Sequence, residues 1–498
     1  MALTPDFEAF AASWLQREAA EQPQDICVAR TLIADMLTPV SAYQALRDPA
    51  EVSMIFESVE GGLSRGRYSI IVGNPLSVWR LKQGVVDGGE PAGKPDVLAS
   101  LRRFIQSAKA AVPPNLPAFA QGVFGYLGHD LIRCVEDLPR LKPQQLDIAD
   151  GVLIKPATLL IFDHVYDRLT LVQRVIPQSG ETAAAGYARA NALIQGVVDR
   201  LLAAKPDLPD EVAAGSSSPA KHAVTSNFPD GHYQKLVTEV KELIAAGEVY
   251  QLVPTQIFSR PFAGSGWQLY RQLRRLNPSP FLFCLEFPEL AVVGSSPEIL
   301  VRVRNHQVTV RPLAGTRPRG ADEARDQQLA QELLADPKDR SEHLMLLDLG
   351  RNDVGRVAKI GSVTVTEQFV IERYSHVMHL VSNVTGQLLA DKDAVDAVLA
   401  GFPAGTVTGA PKIRAMQLLD ELEPTARNLY GGLIGYFTAD HQADTCIAIR
   451  TGLVKDGQLY VQAGAGLVAD SDPESEHQEC VNKARALLAA ADAVDLAG

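Results

Sequence analysis

Cysteine is scarce in this chain of 498 residues. There are five, Cys27, Cys134, Cys284, Cys446 and Cys480, odd in number and with no two spaced as CxxC. That excludes a disulfide framework and a structural zinc site as organising features, and it fits a reducing, cytoplasmic setting. None of the five lies in a GxCxG turn, the setting of a nucleophile elbow, so hydrolysis of glutamine by this chain is not expected. Runs of positive charge are also missing. With 47 Lys and Arg against 59 Asp and Glu the formal net charge is -12, which repels a phosphate backbone and argues against nucleic-acid binding. No uninterrupted apolar run approaches the ~20 residues of a membrane span. The N-terminal stretch MALTPDFEAFAASWLQREAA lacks the basic head and apolar segment of a signal peptide.

What is present suffices for a large core, since 46% of the residues are hydrophobic. The length suggests about two to four domains. The clearest linker candidate is Lys205 to Pro229, rich in Pro, Ser, Ala and Gly and without periodicity. It divides the chain into 1–225 and 226–498. Before it, SMIFESV, GRYSIIVG, GVFGYLG, GVLIKPATLLIFDHV and RLTLVQRVI read as strands, with helical stretches at Asp96 to Ala111 and Glu181 to Ala203. Ser64-Arg65-Gly66 and Tyr166-Asp167-Arg168 read as hairpin connections. After it, a helix capped by Asp230 runs to about Ala246 and stops at Gly247. EVYQLVPTQIF, PFLFCLEF, LAVVGS, EILVRVRN and QVTVRPL read as strands. Helices follow over Ala321 to Ala335, Lys338 to about Leu349 and Lys392 to Leu399, then one opened by Pro411 at its first position. Strands return at GGLIGYFTAD, DTCIAIRTGLV and QLYVQAGAGLV, and a last helix starts at Pro473. Runs of strands between helices predict an α+β fold with large antiparallel sheets.

The chemistry concentrates after the linker. Asp339 with Glu342, and Glu476 with Glu479, are acids three apart in helical stretches, so each pair shares a helix face. Either these are solvated faces, where most acids reside, or two helices aim carboxylates at one hard divalent cation. In TCIAIRT, strand alternation puts Cys446, Ala448 and Arg450 on one face. A guanidinium among small residues needs an anion, which is either a structural partner or a bound carboxylate. Glu298 in GSSPEIL follows Pro297 and is either an ordinary turn residue or a buried general acid. His379 in YSHVMHLVS is either a hydrogen-bonded core histidine or a catalytic one. RPLAGTRPRG and VQAGAG supply small residues where backbone N–H groups can meet an anion. FPAGTVTGAPK lacks Walker spacing and reads as a turn and helix start.

In chain order GSSPEIL, RPLAGTRPRG, KDRSEHLMLLDLGRND, YSHVMHLVS, FPAGTVTGAP, YGGLIGYF, TCIAIRT, VQAGAG and SEHQECVNKA, nine motifs densest from Gly294 to Ala484, resemble the component I chains of anthranilate synthases, within the chorismate-utilising enzymes, and the agreement covers nearly the whole chain. The resemblance implies a two-domain α+β fold with layered, largely antiparallel sheets flanked by helices. It implies Mg²⁺ dependence and conversion of chorismate and ammonia to anthranilate and pyruvate, the committed step toward tryptophan. By position it makes Glu342 and Glu479 metal ligands, with Asp339 and Glu476 as acids behind them. Glu298 becomes the general acid and His379 the catalytic histidine. Gly315, Thr316, Tyr430, Arg450, Gly464, Ala465, Gly466 and Lys483 become chorismate contacts. In 1–225, ESVEGGLSRGRYSII resembles a tryptophan-binding regulatory segment, with Glu57 and Ser58 on one wall and Pro280, Phe281 and Leu282 on the other. Leu282 departs from the pattern if relatives carry Met there.

Two residues separate neighbouring activities. Relatives that attack with water carry a base lysine where this chain has Gln251, and aminodeoxychorismate synthases carry a nucleophilic lysine where it has Ala314. A neutral amide does not readily deprotonate water and alanine forms no adduct, so ammonia is the expected nucleophile. Lacking its own glutamine-hydrolysing thiol, the chain is expected to work with a separate glutamine amidotransferase subunit, component II. The alternative from another class is a catalytically silent tryptophan-binding regulator.

Overall fold

In the computed structural model, residues 3–19, 24–60, 64–87, 94–138, 142–204, 222–374 and 377–497 are described. Two antiparallel ladders branch from one long strand, Gly151–Asp163. The first runs outward through Tyr68–Lys82, Ser53–Glu57, Phe281–Phe287, Leu290–Ser296, Thr451–Lys455, Gln458–Gly464 and Thr255–Pro261. The second runs through Gly122–Leu127, Leu433–Thr438, Ala443–Ile447, Ile299–Arg304, Gln307–Val310 and Val377–Gln387. Hydrogen-bonded ladders thus join strands from both sides of residue 225.

Alternation along each strand explains the layers. In Phe281–Phe287, Leu282 and Cys284 enter a core built with the helices Ala183–Ala203, His232–Ala245, Gly266–Leu276 and Pro473–Ala497. Phe283, Leu285 and Phe287 enter a second core with Phe124, Ile434 and Cys446 of the other ladder. Leu433 and Ile447 point the opposite way, into a third core with Leu101, Leu347 and Val398 from the helices Lys94–Gln106, Pro337–Gly355 and Ala394–Gly401. Helices therefore flank two stacked sheets. Both faces of the central strands are covered, which is why PFLFCLEF and LAVVGS read as nearly continuous apolar runs rather than alternating ones.

Several local expectations change. Ser64–Arg65 is a short strand paired with Val59–Glu60, not a hairpin turn. The helix expected from Asp230 begins at His232, with Gly231 at its N-cap in the left-handed region (φ 74) and no side-chain cap, although it does end before Gly247. EVYQLVPTQIF splits into Gln251–Leu252 and Thr255–Pro261, because Pro254 has no N–H for a ladder. Pro411 is the N-cap of the helix Lys412–Leu422 rather than its first residue. Much of the linker candidate, residues 205–221, and His376 lie outside the described residues.

Candidate active site

Glu298 and Arg450 occupy the two places where the chain crosses from one ladder to the other. Leu290–Ser296 pairs with Thr451–Lys455 in the first ladder, and Ile299–Arg304 pairs with Ala443–Ile447 in the second. Between them, Pro297-Glu298 and Ala448–Arg450 run side by side. The Ser295 N–H donates to the Arg450 carbonyl at 3.1 Å, the Ile447 N–H donates to the Glu298 carbonyl at 3.1 Å, and Ser296 Oγ donates to the Ile447 carbonyl at 2.7 Å. The expected alternation through TCIAIRT fails here. The strand stops at Ile447 and Arg450 takes a left-handed conformation (φ 50), which costs an L-residue roughly 1–2 kcal/mol. Cys446 and Arg450 consequently face different cavities.

Arg450 lines a cavity of about 720 Å³ together with Glu298, His379, Gly315, Thr316, Tyr430, Gly464, Gly466 and Lys483. Asp339, Glu342, Glu476 and Glu479 line it too, so both acid pairs face the cavity. Ala465 does not; its side chain is buried in the core beside the His232–Ala245 and C-terminal helices. The guanidinium of Arg450 is largely buried and, among the described residues, no hydrogen bond or ion pair within 4 Å holds it, although the charge of Glu479 acts on it across the cavity. Burial pulls its pKa below the ordinary arginine value.

Glu298 is 7% exposed. Burial pushes its carboxyl up to about 8, opposed by a hydrogen bond from Thr406 Oγ1 to Oε1 at 2.9 Å and by the charge of Lys483. The acid is therefore largely protonated at neutral pH. His379 is held the other way, since burial lowers it to about 4 and keeps the ring neutral. Its Nδ1 lies 3.1 Å from the Gly315 carbonyl and 3.0 Å from Thr316 Oγ1. A carbonyl only accepts, so this contact places the proton on Nδ1 and leaves the Nε2 lone pair free. Gly315 makes the arrangement possible. It sits at a bulge with φ 70, and a Cβ there would lie 2.9 Å from Leu333 Cδ1.

The carboxylates form a graded set. Burial raises Glu342, and the charges of Asp339 and Glu479 raise it further; burial likewise raises Glu476, with Glu479 adding to it. Carboxylates that repel one another across a cavity are a hard-oxygen donor set suited to a divalent cation. As they stand the acids are held by side chains. Lys483 pairs with Glu479 at 2.7 Å, Arg317 with Asp339 at 2.7 Å, Ser471 Oγ donates to Glu476 at 2.6 Å, and Gln251 Nε2 donates to Glu342 at 3.3 Å. Among the described residues no three His, Cys, Asp or Glu side chains converge closely enough to hold an ion.

A second cavity, about 900 Å³, opens between the ladders and is lined by Glu57, Ser58, Pro280, Phe281 and Leu282. The carboxylate of Glu57 is already taken. Arg274 Nε and Nη2 donate to it at 2.6 and 3.1 Å, and the Tyr270 hydroxyl at 2.7 Å. Pro297, Glu298, Leu313 and Tyr374 line both cavities and form the partition between them.

A family model described as chorismate binding enzyme matches residues 61–489. The chain belongs to that family. It is 46% identical to the anthranilate synthase component 1 of Cereibacter sphaeroides over 98% of this chain and 97% of the relative, and 44% identical to that of Pseudomonas aeruginosa over 95% and 97%. Among solved structures, the anthranilate synthase component I of Streptococcus pneumoniae is 33% identical with a TM-score of 0.73, covering 92% of this chain and 99% of that one. The menaquinone-specific isochorismate synthase of Escherichia coli, at 21% identity and a TM-score of 0.69 over 97% and 100%, shares the fold. Two features of this family member escaped the sequence. Thr406 sits in what reads as an ordinary turn, and Tyr374, just past the end of the strand Thr364–Arg373, lines both cavities only once the chain has folded. The hydroxyl that reaches Glu298 comes from 108 positions away, a separation no local pattern encodes.

Proposed function

We propose that this chain is the large subunit of an anthranilate synthase, converting chorismate and ammonia to anthranilate and pyruvate. The observation that carries the reading is the unpartnered Arg450 guanidinium in one cavity with a protonated buried acid and a wall of carboxylates. Chorismate carries two carboxylates. Arg450 can hold one through a bidentate, charge-assisted contact. Glu342 and Glu479 would hold Mg²⁺, which when bound neutralises the other carboxylate.

Glu298 gives its proton to the departing ring hydroxyl as ammonia adds, so water leaves and the carboxylate remains. Gln251 supports ammonia as nucleophile, because its amide cannot serve as a base; its Oε1 is buried and without a protein partner. In the second half the bond between the ring carbon and the enolpyruvyl oxygen breaks as the ring proton departs and the ring becomes aromatic; the electron pair leaves with the oxygen as the enolate of pyruvate, which takes up a proton to give pyruvate. Neutral His379, with a free Nε2 lone pair, is suited to accept that proton.

Ammonia would come from a glutamine amidotransferase subunit, in the cytoplasm. Cys27, Cys284, Cys446 and Cys480 are buried thiols with raised pKa values, poor candidates for a glutamine-attacking thiolate. The segment 1–225 would carry feedback control, with tryptophan in the larger cavity against Ser58, Pro280, Phe281 and Leu282, and Glu57 locked behind it by Arg274. The residues 226–498 would carry the chemistry. The test is anthranilate fluorescence from purified chain with chorismate, Mg²⁺ and either ammonium or glutamine. Product from ammonium alone is expected; product from glutamine alone would refute the missing-subunit argument, and no product from ammonium would refute the activity.

A further inference from the structure

We propose that Thr406 is a positioning residue for Glu298: its hydroxyl clamps carboxyl oxygen Oε1 and leaves Oε2 as the oxygen that carries the transferable proton. The inference rests on the reading of Glu298 as the general acid.

Thr406 belongs to the short turn Gly405–Val407. That turn is tied down from several directions. Thr408 Oγ1 donates to the Ala404 carbonyl at 2.8 Å, and the Val253 N–H donates to the Thr408 carbonyl at 2.9 Å. Arg427, buried and paired with Glu423, donates from Nη1 to the Val407 carbonyl at 2.5 Å. Just past the turn, Lys412 Nζ reaches both oxygens of Asp353 at 3.1 Å, and both of these side chains are buried. Gly405 presses so closely on the Pro337–Gly355 helix that a Cβ would fall 1.9 Å from Leu349 Cδ2.

So much anchoring makes the Thr406 side chain a fixed donor. The neighbouring Thr408 spends its hydroxyl on backbone, whereas Thr406 gives its own to the acid. Among the described residues, that is the one hydrogen bond made to the Glu298 carboxyl by a side chain. A donor on Oε1 has two effects. It sends the carboxyl proton to Oε2, and it stabilises the carboxylate left once the proton has gone to the hydroxyl. A merely structural threonine would do neither.

The test uses Thr406→Val, which deletes the hydroxyl at nearly constant volume, Thr406→Ala as a second deletion, and Thr406→Ser, which keeps it. Rates are read by anthranilate fluorescence at constant free ammonia across pH. The Glu298 titration is read separately by infrared spectroscopy of the carboxylic acid band, assigned by its loss in Glu298→Gln. The deletions are expected to lower kcat about tenfold or more with chorismate KM within about twofold. They should also move the Glu298 titration upward by about one pH unit in both readouts, because a donor to the ionised form is gone. Serine should restore both. Valine and alanine variants with unmoved infrared titrations, even if slow, would overturn the proposal, as would a serine variant that behaves like valine. The infrared titration needs no turnover, so a protein that makes no anthranilate would refute the function while the Thr406 inference is still decided.

Discussion

Replacing Glu298 with Gln keeps the shape of the side chain and removes its titration. In the folded protein burial lifts this carboxyl from an ordinary 4.5 to about 8. At 1.36 kcal/mol per pH unit the displacement corresponds to ~5 kcal/mol. The sign follows from which state holds the proton. Below pH 4.5 the acid is protonated both folded and unfolded and contributes nothing. Between 4.5 and 8 the unfolded chain loses the proton while the folded chain keeps it, so wild-type stability falls as pH rises. Above 8 the penalty is complete. Denaturant unfolding at pH 5 should therefore find the two proteins nearly equal, and at pH 9 should find Glu298→Gln more stable by up to about 5 kcal/mol. Activity should run the opposite way. The variant is expected to lose about 10²- to 10⁴-fold in kcat, the usual worth of a general acid. In the wild type, kcat/KM for chorismate at constant free ammonia should fall above pH 8, and one unit higher about a tenth of the acid remains to work. A wild-type profile flat through that range, or a glutamine variant with no pH-dependent stability gain, would refute the assignment of the proton to Glu298.

Arg450→Met should raise the chorismate KM about 10- to 100-fold, the loss of a charged hydrogen-bonding partner, with little change in melting temperature, because among the described residues no hydrogen bond or close ion pair holds that guanidinium and only longer-range charge from Glu479 acts on it; a lower melting temperature with unchanged KM would return Arg450 to a structural role. Glu342→Gln and Glu479→Gln should each abolish Mn²⁺ binding seen by electron paramagnetic resonance while circular dichroism stays the same, and undiminished binding in both would place the metal elsewhere. Ser58→Phe fills one wall of the larger cavity and should weaken tryptophan binding in calorimetry at least about tenfold with little change in uninhibited turnover; equal tryptophan affinity in variant and wild type would detach Ser58 from the regulatory site.

The sequence by itself determined the α+β class, the positions of most helices, and the residue types of the site. Periodicity is local: alternation marks strands, and acids three apart on a helix share a face wherever that helix docks. Asp339 with Glu342 and Glu476 with Glu479 were therefore legible as pairs before any packing was known. The tertiary structure decided which pairs meet, and it overruled local pattern where the chain changes sheets. Arg450 lies beyond the end of its strand in a left-handed conformation, so period-2 alternation assigns it the wrong face. Glu298 becomes a proton donor only because the crossing between ladders buries it, and desolvation depends on everything packed around a carboxyl rather than on its neighbours in the chain. Thr406 was unreadable for the same reason. A hydrogen bond across 108 positions exists only once two sheets, a helix and the buried Arg427–Glu423 pair have closed around one turn.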